Sequence, residues 1–242
     1  MDNSKLAGDE FWRDRIGLIY DGYLVQLLAG NRNGCGRIVS KLLEEGIPLS
    51  TLYLELMQRS LYEVGELWER NRISVVRQHG ATHVTEYLLA LAYPRISFAK
   101  PCDGTVVVAC IADEYHHVGA KMVADIFELN RWRVHYLGAN TAQSDLLSLL
   151  EESSPDLLAI SLSFSSNLHS LLASLAVVRG TYPELPIVVG GQAFRHLENE
   201  LLAIVPRVTY LASLYHLEEY LCRFSGESSP GNSLRHGTGD GP

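Results

Sequence analysis

Apolar residues along the chain follow two rhythms, and the change between them falls near residue 95. From Phe11 to about Tyr93 they recur at three- and four-residue spacing, in FWRDRIGLIYDGYLVQLLAG, RIVSKLLEEG, LSTLYLELMQRSLYEVGELWER and SVVRQHGATHVTEYLLALAY. This pattern predicts four helices with breaks near residues 30–36, 46–48 and 71–73. Connections that short favour antiparallel neighbours, so residues 1–95 read as a four-helix bundle, with Ser50 and Ser74 standing where N-caps would.

After PRISFAKPCDG the rhythm shortens. The β-rich runs TVVVACIA, WRVHYLG, DLLAISLSF, PIVVGG and VTYLAS alternate with amphipathic stretches around residues 118–129, 143–152, 167–179, 195–204 and 215–224. These units predict a five-stranded parallel, doubly wound, flavodoxin-like sheet over residues 103–224, so the whole chain is α + α/β. Ligands on such sheets bind beyond the carboxyl ends of the strands, where strand order reverses. Residues 225–242, SGESSPGNSLRHGTGDGP, have little to bury and are expected to form a disordered tail or linker.

Composition narrows the classes. The 242 residues are 47% hydrophobic, enough for a packed core. The net charge of -8, with acids and bases interspersed, argues against direct nucleic-acid contact. The polar, acidic start MDNSKLAGDEFW fits no signal or transit peptide, and no run approaches the roughly 20 apolar residues that span a bilayer. A cytoplasmic chain with no membrane contact is the expectation. Cys35, Cys102, Cys110 and Cys222 are scattered without CxxC spacing, so neither a disulfide framework nor a zinc knuckle is expected.

The candidate chemistry begins where the first strand ends, in ADEYHHVGAKMVAD. There Glu114, Tyr115, His116 and His117 occupy the loop at the top of the sheet, and Gly119 opens the next helix. A neutral imidazole can bind a metal through one nitrogen if an acceptor holds the other N–H, and Glu114 or Asp113 is near enough to serve. The plain alternative is a surface histidine with no role. Against it stand SLSFSS at residues 161–166 and GGQAF at residues 190–194, at later strand ends. Small and hydroxyl residues there leave a slot beside the sheet instead of filling it.

Together, Glu-x-His-x-x-Gly, Ser-x-Ser and Gly-Gly resemble the cobalamin-binding fold shared by methionine synthase and related proteins, over roughly residues 105–224. The resemblance implies that His116 replaces the dimethylbenzimidazole base as lower cobalt ligand and that Glu114 holds its imidazole. It also implies that the displaced nucleotide tail enters the slot along Ser161, Ser163, Ser165, Gly190 and Gly191. Glu114 stands where many relatives have Asp, and Ser163 where an apolar residue is commoner. His117 is read as a neighbour only.

In the helical half, Trp68 and the pair Gln78-His79 are separated by nine residues. An indole and an imidazole brought together can cover the upper face of a macrocycle, the first packing on an upper ligand and the second able to replace it. Trp68 as an ordinary bundle-core aromatic is the plain alternative. His79 and His83, four apart, lack further zinc ligands. The spacing resembles the cobalamin-dependent photoreceptors of the CarH type. The Gln-His version is similar to the AerR group and the photocobilins, which differ from CarH's Glu-His. The resemblance implies a light sensor in which loss of the upper ligand of adenosylcobalamin, leaving a hydroxocobalamin-like state or His79 ligation, repositions the bundle. It further implies a homo-oligomer or a transcription-regulator partner. The sequence itself does not specify a bilin: with no cysteine in an attachment motif, a second chromophore such as biliverdin would have to be noncovalent, and of the aromatics near Tyr53, Tyr62 and Tyr87 that could line its site most are expected in the core. No catalytic residue is expected. The rivals are a corrinoid methyl-carrier protein and a flavodoxin-like nucleotide binder, the latter without GxGxxG or a P-loop to support it.

Overall fold

A computed structural model of the chain describes residues 3–96, 104–196 and 206–227. Its helical half comprises α1 (Asn3–Leu28), α2 (Arg32–Glu44), a third rod and α5 (Val75–Ala92), closed by a 3-10 turn at Tyr93–Arg95. The third rod is α3 (Leu49–Thr51), a π-helical stretch at Leu52–Gln58 and α4 (Arg59–Glu69). Ser74 caps α5, its hydroxyl accepting from the Arg77 N–H at 3.4 Å. Ser50 does not cap its helix; it lies inside α3, where Pro48 holds the N-cap position. Pro48 is preset in extended backbone, so the helix starts one residue before the hydroxyl could serve.

The second half contains β1 (Thr105–Ile111), α6 (Val118–Leu129), β2 (Arg133–Thr141), α7 (Gln143–Ser153), β3 (Leu157–Ser161), α8 (Leu168–Thr181), β4 (Ile187–Gly190), β5 (Val208–Tyr210) and α9 (Leu214–Glu227). All neighbouring strands are parallel, in the order β2-β1-β3-β4-β5. This is the doubly wound, flavodoxin-like order, with its reversal between β1 and β3. The helix expected around residues 195–204 lies largely outside the described residues. So does most of the expected tail, although α9 stays helical to Glu227.

The alternation of side chains along β1 divides the core. Val106, Val108 and Cys110 face α6, α9 and the bundle, whereas Val107, Ala109 and Ile111 face the layer that contains Leu146, Leu150, Leu171 and Leu175 of α7 and α8. The first cluster runs without a break into Tyr23, Leu27, Leu56, Met57 and Leu88 of the bundle. Bundle and sheet therefore share one apolar core.

One buried polar contact crosses that shared core. Tyr53 and Asp125 are 0% and 1% exposed, and the Tyr53 hydroxyl donates to Asp125 Oδ2 at 3.0 Å. Lys121 forms an ion pair with the same carboxylate and lies over the Tyr93 ring, 5.0 Å from its centre. Burial pushes the Asp125 carboxyl up, against the opposing pull of Lys121 and Tyr53. Among the described residues no helix is long and apolar enough to cross a membrane. Removing the hydroxyl takes one bond from a buried carboxylate, so Tyr53→Phe is expected to lower stability by about 1–2 kcal/mol. Urea unfolding checks this; an unchanged midpoint would show that the contact contributes nothing.

Candidate functional site

The loops after β1 and β3 meet where the strand order reverses. The β1 loop is fixed by its backbone: Asp113 adopts φ 66° and Asn140 φ 52°. The Asp113 N–H donates to Asn140 Oδ1 at 2.9 Å, the Asn140 N–H to the Glu114 carbonyl at 2.8 Å, and Asn167 Nδ2 to the Asp113 carbonyl at 3.1 Å. Asn and Asp tolerate this left-handed backbone better than other non-glycine residues. The loop is thereby tied to both β2 and the β3 end.

Within it, the Glu114 carboxylate is fully buried. Its Oε1 accepts the His116 N–H at 2.9 Å and lies 2.8 Å from His116 Nδ1. Its Oε2 accepts the N–H groups of Ser163 at 2.9 Å and Phe164 at 3.2 Å. Burial alone would push this carboxyl up, yet the bonds from the His116 ring and the three backbone N–H groups outweigh it and hold the group down to about 2. An ionised acceptor requires a proton on Nδ1, which leaves the lone pair of the neutral ring on Nε2. The His116 side chain is 43% exposed, and the Phe164 ring stands edge-on to it with centres 4.4 Å apart. Asp113, the other acceptor the sequence offers, is exposed and holds the turn through its backbone.

His117 points to a different element. Its Nε2 lies 2.9 Å from Glu86 Oε1 on α5, and the other Glu86 oxygen lies 3.0 Å from His83 Nδ1. Tyr136 donates to the His117 carbonyl at 3.1 Å. The two histidines thus serve different partners, one kept for the sheet edge and one joined to the bundle.

The predicted slot exists as a cavity of about 290 Å³, bordered by Gly119, Ser161, Gly190 and Gly191. Gly191 has φ +116°, and a Cβ there would sit 2.2 Å from the Leu162 carbonyl oxygen. A Cβ at Gly190 would come within 2.9 Å of the Leu211 oxygen. The chain therefore requires glycine at both positions as it leaves β4, Gly191 beside the segment after β3 and Gly190 beside the segment after β5. A Cβ at Gly119 would approach Ser161 Oγ at 3.7 Å and take space from the slot. Two expected residues do not line it. Ser163 gives its backbone N–H to Glu114, and Ser165 is exposed at the start of a 3-10 turn, because the chain turns away from the slot after Leu162.

The expected lid residues lie on the helical side. Trp68 is in the last turn of α4 and 38% exposed, Gln78 is half-buried, and His79 is exposed near the start of α5. The structure shows no hydrogen bond or ring contact joining them to His116 among the described residues. His79, His83 and Glu86 follow helical spacing and share one face of α5, so His79 stands two turns, about 10 Å, from the residue that meets the His117 loop. Exposed Trp68, Val75 and Val76 gather at the α4–α5 corner, and exposed Tyr115 and Phe164 flank His116. Tyr53 cannot line a bilin site, being fully buried and bonded to Asp125; Tyr87 stacks with Arg32 at 4.8 Å. Cys35, Cys110 and Cys222 are free thiols, burial pushing the first to about 11 and the second to about 12, while Cys102 lies outside the described residues.

The donor set suits a corrinoid. Among the described residues no group of three or more His, Cys, Asp or Glu could hold a bare metal ion. His116 is a single oriented donor, which fits a metal already held by a macrocycle. The adjacent slot, kept open by Gly119, suits an elongated appendage of that macrocycle.

Comparison with known proteins agrees with this geometry. Residues 104–210 match a family model described as B12 binding domain, and residues 19–93 match a second one of the same description. These matches support a cobalamin-binding family. The chain is 27% identical over 161 residues to the HTH-type transcriptional repressor CarH of Myxococcus xanthus, covering 65% of this chain and 53% of that protein. It is 22% identical over 197 residues to methionine synthase of Mycobacterium leprae, covering 77% of this chain and 16% of that protein. The chain thus spans about half of one curated relative and a small part of the other. The fold is similar to that of the Methanosarcina barkeri monomethylamine corrinoid protein, with TM-score 0.73, 12% identity, and 86% and 99% of the two chains covered.

Glu114→Gln tests the carboxylate. A group held near 2 instead of its ordinary 4.5 contributes about 3 kcal/mol above pH 4.5, and this is lost as pH falls through about 2. The variant is expected to be less stable than wild type by about that amount at pH 7, with the gap narrowing between pH 4.5 and pH 2. Urea unfolding at several pH values checks it, and a gap independent of pH would contradict it.

Proposed function

We propose that this chain is a cobalamin-dependent light sensor that signals by moving its helical bundle. The observation that carries this reading is the joint between α5 and the His116 loop. Glu86 meets His117 beside the candidate lower ligand, while His79 stands exposed two turns away on the same face of α5. A displacement of α5 would release the first contact and bring the second residue across the sheet edge.

Bound cobalamin would supply a cobalt that accepts a nitrogen donor and carries a light-labile bond. In this reading His116 would hold the cobalt through Nε2, and Glu114 fixes the tautomer and direction of its ring. Gly119, Ser161, Gly190 and Gly191 border the tail slot. Trp68 and Gln78 would cover the macrocycle from the bundle side, and His79 would offer a second nitrogen donor to the cobalt. The Glu86–His117 contact joins side chains about one third exposed, and such pairs contribute on the order of 0–1 kcal/mol. It is weak enough to be broken by a change in ligation. Adenosylcobalamin is the dark form this reading favours, and cobalamin alone suffices as chromophore. The likeness to CarH supports a regulatory output, through self-association or a transcription-regulator partner and not through direct contact with nucleic acid.

The second reading is a corrinoid methyl carrier. The likeness of architecture to the monomethylamine corrinoid protein and the match to methionine synthase support it. In both readings the chain holds a cofactor and is not itself a catalyst. Absorption spectra of the protein loaded with adenosylcobalamin, in the dark and after green light, separate them. Wild type is expected to reach a stable photoproduct and shift its elution volume, and His79→Ala to fail to reach the same spectrum. A light-insensitive assembly and identical spectra for wild type and variant would overturn the sensor reading.

A further inference from the structure

The tail slot has a wall that no strand-end motif supplies. Besides the sheet edge and α6, it is lined by Leu54, Gln58 and Tyr62 of the bundle. The first two lie in the π-helical stretch and the third one turn into α4. Residues four apart share one face of a helical rod. Leu54, Gln58 and Tyr62, at four-residue spacing, therefore form one stripe along the slot. Single π turns inside α-helices recur at functional sites, and here the irregular turn coincides with the cavity wall.

The slot also has a polarity. Val108, Ala159, Met122 and Leu217 form an apolar, fully buried part, whereas Gln58 is half-buried and brings a carboxamide to its open side. A ligand part that fits is flat and apolar at its inner end and polar where it meets Gln58. We propose that Gln58 is a recognition residue for the nucleotide tail of the corrinoid, its carboxamide hydrogen-bonding the sugar-phosphate portion. The bundle then reads the lower appendage of the cofactor as well as its upper face. This rests on the cobalamin reading above.

The test compares hydroxocobalamin with cobinamide, a corrinoid without the nucleotide tail, by equilibrium dialysis against wild type and Gln58→Leu. Leucine keeps the bulk and removes the amide. The variant is expected to bind hydroxocobalamin about tenfold more weakly and cobinamide with unchanged affinity, the latter also showing that the site is intact. Equal weakening of both, or of neither, would overturn the role of Gln58 while leaving the cobalamin reading in place. Failure of wild type to bind hydroxocobalamin would overturn both.

Discussion

The site depends on one buried carboxylate. Glu114 joins the loops after β1 and β3, accepting from His116 with one oxygen and from Ser163 and Phe164 with the other. Such a group is tolerable inside only because each oxygen is supplied with donors. Its charge then fixes where the His116 proton sits and which nitrogen remains to bind. The same residue closes the strand-order reversal and orients the His116 ring, so the two cannot be varied separately here.

The second constraint is the core shared by bundle and sheet. It is continuous from Leu56 and Leu88 to Val106 and Ala159, and the buried Tyr53–Asp125 contact lies within it. Against this stands the partly exposed Glu86–His117 contact near the ligand loop. A strong anchor beside a weak latch gives the proposed sensor a way to move. In the proposed sensor the Glu86–His117 contact is the one that breaks, while the apolar core that joins bundle and sheet holds. The tail slot lies beside that core, bordered by Gln58 from the bundle and Ser161 from β3.

Much of this was legible in the sequence, for physical reasons that differ by element. The apolar periods located the helices and the strands, and the fold class follows from their order. His116 and Glu114 were legible because the strand end, the acid and the glycine fall within one short stretch. Ser163 and Ser165 fall outside the cavity lining because the chain turns away after Leu162, where the Gly191 backbone packs against the Leu162 carbonyl, and spacing cannot tell this. Glu86 was missed because its partner His117 is distant in sequence, and Gln58 because a helical residue's approach to the sheet cannot be read from spacing. Only the folded chain brings Glu86 to His117 or shows that the third helix contains a π turn. Tyr53, one of the aromatics expected mostly in the core, is buried there, but its partner Asp125 lies in the other half of the chain and could not be read from a helical period.

The central claim is that His116, oriented by Glu114, is the protein's axial ligand to cobalt. Electron paramagnetic resonance of the divalent cobalt form, bound to protein labelled with nitrogen-15 histidine, tests it most directly. Replacing the common nitrogen isotope by nitrogen-15 should change the axial-nitrogen splitting from a triplet to a doublet, and His116→Ala should abolish the doublet. A splitting that stays a triplet in the labelled protein would mean that the cofactor keeps its own benzimidazole on cobalt, contradicting the role assigned to His116.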